Sequence, residues 1–235
     1  MRLSIFLPVY NEEDILMKNT LAVYDEAKKL RLPFEIIICD DSSKDRTNQI
    51  CLQLAKEFKE ISFIKYENGP SRRENLALAM KGAKGEIVFY SDIDLSVNPK
   101  YMPELIAKLN EGFDIATGSR YAAKTRVERR FFRKAISYAY NLFMRIYFCS
   151  KVKDHQCGFK AFRKEILLEL IKELGYDSKF RRGWFWDAEL LLRAQRKRLK
   201  IAEVPVNWQG DMKSSFRIKR ELRMLPYVLA LKWRL

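Results

Sequence analysis

The stretch Glu86-Ile-Val-Phe-Tyr-Ser-Asp-Ile-Asp-Leu-Ser96 is a short apolar segment that ends on two aspartates. Because side chains alternate along a strand with period two, Asp92 and Asp94 are predicted to project to the same side where the strand ends. Two carboxylates at the carboxyl end of a buried strand suit a divalent cation that is shared with a substrate diphosphate. Asp is also common in solvated turns, so this pair alone leaves both interpretations open.

Length and composition predict one large domain with a C-terminal appendage, since the chain has 235 residues of which 48% are hydrophobic. Charge is unevenly distributed. Residues 1–117 hold 16 Lys and Arg against 19 Asp and Glu, and residues 118–235 hold 29 against 11, so the halves carry −3 and +18. A strongly basic half predicts a polyanionic partner, either an anionic membrane face or, as second choice, a nucleic acid.

The cysteines do not indicate a metal centre. Four cysteines and a single histidine, His155, have no zinc-ligand spacing, so we expect reduced packing residues in a cytoplasmic protein. The apolar run at the N-terminus is too short for a signal peptide. No run of about twenty apolar residues is present, so the sequence predicts no membrane span, although the protein could lie on a membrane.

Apolar strands alternate with polar loops and helices in the first half of the chain. Strands are predicted at 3–9, 35–39, 62–66 and 86–90, and helices from about Asn11, as the cap, to 30, from 47 to 59 and from 74 to 84. This alternation is typical of an α/β fold with a parallel sheet and right-handed crossovers, whose ligands bind beyond the carboxyl ends of the strands. Neither a G-x-G-x-x-G nor a P-loop motif follows the first strand, so carboxylates and a metal would have to hold a nucleotide.

Seven motifs occur in the order seen in glycosyltransferase family 2. They are Pro8-Val-Tyr-Asn-Glu-Glu13, Asp40-Asp-Ser-Ser-Lys-Asp-Arg-Thr47, Asp92-Ile-Asp94, Gly118-Ser-Arg-Tyr121, Asp154-His-Gln-Cys-Gly-Phe-Lys160, Trp186-Asp-Ala-Glu-Leu-Leu191 and Glu203-Val-Pro-Val206. More narrowly, the chain resembles the dolichyl-phosphate hexose synthases, which make polyprenyl-phosphate mannose or glucose. The resemblance runs from about residue 3 to 215, and the motifs look closer to the glucosyl branch, which favours UDP-glucose over GDP-mannose.

The resemblance implies the GT-A fold of nucleotide-diphospho-sugar transferases, with a mostly parallel central sheet flanked by helices. Its domain, 1–215, would have a nucleotide-binding half at 1–117 and an acceptor-binding half at 118–215, followed by a basic amphipathic segment at 216–235. Asp92 would touch the ribose or the metal, and Asp94 would be the principal ligand of Mg²⁺ or Mn²⁺. The donor site would otherwise be lined by Pro8, Tyr10, Glu12, Cys39 and Asp41, with Lys213 on the phosphates.

Family members invert the anomeric centre, so the acceptor attacks opposite the departing nucleotide. A lipid phosphate acceptor is largely dianionic at neutral pH and needs no strong base. The residues implied to grip it are Arg120, Arg133 and Ser137. An acceptor hydroxyl would need a base, and Asp187 is the candidate, although it and Glu189 could equally be helix-start acids. Asp154 and Gln156 would shape the sugar pocket, where Gly158 allows close backbone approach.

Two basic aromatic segments are candidates for contact with a membrane surface. Residues 131–148 combine aromatic side chains with Arg133, Lys134 and Arg145, and residues 216–235 are basic around a short apolar run. We expect a peripheral protein on the cytosolic face of a membrane, docked on lipid or on a small membrane subunit. A family 2 enzyme acting on a sugar hydroxyl is the first alternative. A silent nucleic-acid-binding module is the last, and nucleic acid is not an expected partner.

Overall fold

The computed structural model describes residues 2–71, 73–122, 125, 127–128, 131–209 and 223–235, with backbone only at 127–128 and 131–134. A seven-stranded sheet forms the centre of the described chain, and its strands lie in the order β3-β2-β1-β4-β7-β5-β8. Only β7 runs antiparallel to its neighbours in this sheet. The strands are β1 (Leu3–Val9), β2 (Phe34–Asp40), β3 (Ile61–Lys65), β4 (Ile87–Ser91), β5 (Ile115–Ser119), β7 (Phe159–Arg163) and β8 (Ile201–Pro205).

Helices cover both faces of this sheet, which explains why its strands are apolar in continuous runs. Along β1 and β2, alternate side chains enter two separate clusters of buried residues, so Ile36 and Ile38 pack on one face and Ile37 on the other. The predicted α/β class with a mostly parallel sheet is therefore confirmed. The helices are α1 (Leu16–Lys29), α2 (Thr47–Glu57), α3 (Glu74–Met80), α4 (Met102–Asn110), α5 (Phe131–Tyr147), α6 (Lys164–Leu174), α7 (Trp186–Arg196) and α8 (Leu225–Leu231).

A third apolar cluster joins the C-terminal helix to the rest of the domain. Met144 of α5, Leu192 of α7 and Val228 of α8 pack together, and the Tyr147 hydroxyl donates to the Leu229 carbonyl at 3.0 Å. A two-stranded parallel pair, β6 (Val127–Glu128) with β9 (Trp208–Gln209), lies outside the main sheet. No helix in the described ranges has both the length and the apolar character needed to cross a bilayer.

The predicted start of the first helix is wrong. The helix begins at Leu16, and Asn11 lies five residues earlier with a left-handed φ of 55°. Its side-chain oxygen accepts a hydrogen bond from the Lys44 backbone amide at 2.8 Å, across to the loop that follows β2. Asn is a preferred residue at the N-cap of a helix, which is why the sequence predicts a cap here. In the structure its side chain instead accepts a hydrogen bond from the loop after β2.

Candidate active site

Asp92 and Asp94 line one cleft at the carboxyl end of β4, as the sequence predicts, but a turn rather than strand alternation brings them there. The strand ends at Ser91, and the Leu95 amide donates to the Asp92 carbonyl at 3.2 Å. Leu95 has a φ of 47°, which closes the turn. The cleft is open to solvent and is lined by Ser91, Asp92, Asp94, Ser96, Val97, Gly158 and Trp208.

Asp94 is fixed by the residue two positions further on. Its carboxylate accepts from the Ser96 backbone amide at 3.0 Å and from the Ser96 hydroxyl at 2.7 Å. Burial raises the pKa of Asp94, and the nearby Asp92 carboxylate raises it further. The site therefore holds negative charge that a cation would stabilise.

Two more features shape the acidic cleft. The Asp92 amide donates to the Gly158 carbonyl at 2.9 Å, and a Cβ at position 158 would overlap the Asp92 carboxylate. Only glycine therefore fits beside Asp92 as it is placed. Burial, and next the charge of Asp94, raise the pKa of Glu12 to about 7, which brings this residue into the same electrostatic cluster.

These residues fit a hard divalent cation that takes its remaining ligands from a diphosphate. Mg²⁺ is commonly bound through one or two carboxylates together with substrate phosphates, and Asp92 and Asp94 supply such a pair. Within the described part of the chain, no group of three or more His, Cys, Asp or Glu side chains is arranged to hold a metal by itself. Asp92 and Asp94 could therefore hold a metal whose remaining ligands come from a bound substrate.

Arg73, which sequence reasoning missed, joins the acidic turn to α7. Its Nη2 donates to Asp92 Oδ1 at 2.6 Å and its Nε donates to Asp187 Oδ2 at 3.2 Å. The three residues are far apart in the chain, and the sequence gives no periodic signal that connects them. Only the sheet order, which places the segment before α3 beside β4 and α7, brings them together.

Asp187 is buried and accepts hydrogen bonds from three side chains. Besides Arg73, its carboxylate accepts from the Tyr90 hydroxyl and from Lys160 Nζ, the latter at 2.8 Å. Lys160 is fully buried and also contacts the Cys157 carbonyl. Burial raises the pKa of Asp187, which Arg73 opposes, and burial lowers the pKa of Lys160 to about 8. An acceptor hydroxyl would have to displace one of these donors to reach Asp187.

The acceptor-site candidates lie around the end of β5. Arg120 is buried, and its Nε and Nη2 both donate to Asp154 at 2.7 Å, so the two residues form a bidentate pair. The Tyr121 hydroxyl donates to Ser137 Oγ at 2.7 Å. Arg133 lies one turn before Ser137 on α5, but its side chain falls outside the described residues, as does all of Lys213.

The nucleotide-site candidates differ in their surroundings. Asp41 accepts from the Ser71 amide at 2.6 Å and from Asn75 Nδ2 at 2.7 Å, so its carboxylate already organises the loop before α3. Tyr10 is exposed and Pro8 is half-buried. Cys39 packs in the core among apolar side chains, and burial raises the pKa of its thiol. A thiol in that position contributes packing.

Glu189, two residues after Asp187, pairs with a different set of side chains, away from the acidic cleft. It accepts from Arg182 at 3.4 Å, from Arg193 at 2.7 Å and from the Tyr227 hydroxyl of α8 at 2.8 Å. Arg182 also pairs with Glu74 at the start of α3. The two acids of the Trp186-Asp-Ala-Glu-Leu-Leu191 motif therefore point to different partners, and Glu189 anchors the C-terminal helix.

His155 fixes the loop that carries the other donor-site candidates. Its ring nitrogens lie 3.0 Å from Asn141 Oδ1 and 2.8 Å from Ser150 Oγ. Burial lowers the pKa of His155 to about 4, so the ring is neutral at pH 7. Gln156, a candidate for the sugar pocket, follows directly, and its backbone amide donates to Asp154 Oδ1 at 3.2 Å.

The mostly parallel sheet, with helices on both faces and an acidic turn at the end of its central strand, has the GT-A fold of nucleotide-diphospho-sugar transferases. The family model described as glycosyl transferase family 2 matches residues 4–171, and the chain belongs to this family. The GT-A fold also matches a structure of the Mycobacterium tuberculosis glucosyl-3-phosphoglycerate synthase, determined with Mn²⁺ and UDP-glucose. The TM-score is 0.67 at 21% identity, over 97% of this chain and 76% of that one.

Two curated glycosyltransferases are similar to this chain over most of its length. Glycosyltransferase AglD of Haloferax volcanii is 35% identical over 99% of this chain and 37% of its own length. A Saccharomyces cerevisiae dolichyl-phosphate beta-glucosyltransferase is 28% identical over 88% of this chain and 66% of its own. The chain thus spans little more than a third of the first relative and just under two thirds of the second.

Proposed function

We propose that the chain transfers a hexose from a nucleotide-diphosphate sugar to the phosphate of a polyprenyl (dolichyl) phosphate, with inversion at the anomeric carbon and UDP-glucose as donor. The observation that carries the proposal is the environment of Asp187. Its carboxylate is buried and engaged by Arg73, Lys160 and Tyr90, so it is poorly placed to deprotonate an acceptor. A phosphate monoester, with a second pKa near 6, needs no such base.

The names of the relatives support the same acceptor and donor sugar. Dolichyl-phosphate beta-glucosyltransferases from S. cerevisiae and Trichomonas vaginalis match 88–94% of this chain at 26–28% identity. Their similarity covers both the acidic turn and the α7 motif. This is consistent with a glucosyl donor, and GDP-mannose is the donor to compare it with.

On the donor side, Asp92 and Asp94 would hold Mg²⁺ or Mn²⁺, and Tyr10, Glu12 and Asp41 would line the nucleotide. The metal, when bound, neutralises the charge that develops on the leaving diphosphate. Lys213 would add positive charge beside that leaving group. Gly158 keeps the space next to Asp92 open.

On the acceptor side, catalysis consists of positioning the phosphate for in-line attack. Arg133 and Ser137 lie four residues apart on α5, so they share one helix face. An arginine fork in that position fits two phosphate oxygens. Arg120 would act with them through the part of its guanidinium that Asp154 leaves free, and so we rank it below Arg133.

A lipid acceptor would place this chemistry at a membrane, and exposed apolar side chains on α5 and after α8 suit that location. Tyr138, Leu142 and Ile146 form an exposed stripe with a spacing of four along α5, and Trp233 after α8 is 87% exposed. We propose that these exposed side chains contact the cytosolic surface of the membrane, with the basic half of the chain facing anionic headgroups.

The donor and metal are tested by transfer of labelled sugar to a short polyprenyl phosphate in detergent. UDP-glucose should give a labelled lipid with Mn²⁺ and none with chelator, and GDP-mannose should give at least tenfold less. Asp94→Asn should abolish transfer, whereas the exposed Asp25→Asn control on α1 should retain it. Chelator-resistant transfer, or equal transfer by Asp94→Asn, would contradict the metal assignment.

Membrane contact is tested with vesicles of phosphatidylcholine alone or with phosphatidylserine added, an anionic lipid that gives the vesicle a negative surface potential. Flotation and a blue shift in tryptophan emission are expected with the anionic vesicles, and the shift should be lost in Trp233→Phe. A protein that stays in solution with both vesicles, but is recovered with a membrane protein, would indicate docking on a partner subunit instead.

A further inference from the structure

Arg73 is held in an uncommon backbone conformation next to the acidic turn. It directly precedes α3 with a φ of 89°, a left-handed value that costs a non-glycine residue of order 1–3 kcal/mol. Its side chain is only 9% exposed, and its guanidinium lies 5.4 Å from the centre of the Tyr90 ring. The surrounding contacts must therefore fix this side chain firmly.

The two carboxylates that Arg73 joins are not equivalent. The Asp187 side chain is 7% exposed and has two further donors, Lys160 and Tyr90. The Asp92 side chain is 42% exposed. Among the described residues it forms an ion pair with Arg73, at 2.6 Å. If one of the two bonds opens, the bond to Asp92 is the one whose partners water or another cation can reach.

Asp92 is also a candidate ligand of the divalent cation, so Arg73 and the metal would bind the same carboxylate. We propose that Arg73 competes with the metal for Asp92: it occupies the carboxylate in the free protein, and on metal binding it stays anchored to Asp187. Arg73 is thus a positioning residue that opposes binding of the metal alone and favours its entry together with the donor diphosphate, whose oxygens supply the remaining ligands. This inference rests on the metal assignment in the proposed function.

The test is binding of Mn²⁺ alone, without nucleotide, followed through the loss of the free-ion electron paramagnetic resonance signal. Arg73→Gln removes both the competing bond and a charge, so it should bind Mn²⁺ at least about tenfold more tightly than the wild type. Arg73→Lys keeps the charge, but a single ammonium cannot span both carboxylates and should stay with the more buried Asp187. It should therefore also bind Mn²⁺ more tightly, by a smaller factor.

The matched control is Arg193→Gln, which removes the same charge from an arginine that pairs with Glu189 rather than with the cleft. Its Mn²⁺ affinity should equal that of the wild type. Near-UV circular dichroism establishes that each variant is folded, and Arg73→Lys, the milder change, serves alone if Arg73→Gln does not fold.

Three outcomes would overturn the inference. If both Arg73 variants bind Mn²⁺ as weakly as the wild type or more weakly, the arginine supports the site instead of competing for it. If Arg73→Gln binds more tightly and Arg73→Lys does not, the effect is one of charge and not of a shared carboxylate. If the wild type does not bind Mn²⁺ even with UDP present, the metal assignment fails as well, which separates that failure from the first two.

Discussion

The buried ion pair between Lys160 and Asp187 allows a sharp test of the structure. Asp187→Asn removes the carboxylate charge, so among the described residues the fully buried Lys160 keeps only uncharged acceptors, which include the Tyr90 hydroxyl and the Cys157 carbonyl. Lys160→Met removes the opposite charge at similar volume and leaves Asp187 still paired with Arg73. The two changes are therefore expected to have unequal costs.

Breaking a buried pair by removing one partner costs about 3–5 kcal/mol, which is the loss expected in free energy of unfolding for Asp187→Asn. Lys160→Met should cost less, about 1–3 kcal/mol, because Asp187 keeps one cation and one hydroxyl donor. The double variant has no uncompensated ammonium in the interior. Its cost should fall short of the sum of the single costs by about 2 kcal/mol.

Urea denaturation of the metal-free protein at pH 7 measures these quantities. The control is the same cycle on Lys197 and Glu173, a surface pair whose side chains are 30% and 36% exposed, where the coupling should stay below about 1 kcal/mol. Additive costs at Lys160 and Asp187, or a loss below about 1 kcal/mol for Asp187→Asn, would refute the argument that Asp187 is a buried and fully engaged carboxylate.

Other predictions concern single positions. Gly158→Ala should lower kcat/KM for transfer about 100-fold by displacing Asp92, while Gly82→Ala, which makes only ordinary contact, should not; equal activity of the two would contradict the placement of Asp92. His155 gains a proton near pH 6.5 when unfolded and near pH 4 when native. The free energy of unfolding therefore decreases as the pH is lowered from about 6.5 to about 4. Unfolding in urea at pH 7 and 4.5 should show about 2–3 kcal/mol more loss for wild type than for His155→Gln, and parallel losses would exclude a buried neutral ring. Because the pKa of Glu12 is raised from 4.5 to about 7, stability of the metal-free protein is lost as the pH rises between these values, and the loss is complete above about pH 7. Since the side chain is only half-buried, solvent screening limits the gain from Glu12→Gln to about 1 kcal/mol at pH 8, with less at pH 5; a loss at pH 8 would mean that Glu12 is stabilised as a carboxylate.

Local patterns were sufficient to predict much of the sheet and the acidic turn. The strands β1 to β4 are continuous apolar runs bounded by polar loops, and each lies within about one residue of its predicted limits. Asp92 and Asp94 follow the central strand, so topology alone places them at the ligand-binding edge. The expectation that strand alternation aligns them was wrong in its reason, since a turn closed by Leu95 does so.

The partners of the charged residues could not be predicted in the same way. Asp187 and Glu189 are two residues apart on α7 and look alike in sequence, yet one faces Arg73 and Lys160 and the other faces Arg182 and Tyr227. These contacts join segments 27 to 114 residues apart in the case of Asp187. They depend on the order of strands in the sheet, because β7 inserts between β4 and β5 and carries Lys160 inward. No period or spacing encodes that insertion.

The measurement that tests the central claim most directly compares two acceptors that differ in one group. A polyprenyl phosphate and the corresponding polyprenyl alcohol, offered separately with labelled UDP-glucose and Mn²⁺, distinguish a phosphate acceptor from a hydroxyl acceptor. Label should enter the organic phase only with the phosphate, as a product that mild acid cleaves back to glucose. Label on the alcohol, or no lipid product from either acceptor while UDP-glucose is consumed, would contradict the account and return Asp187 to consideration as a base.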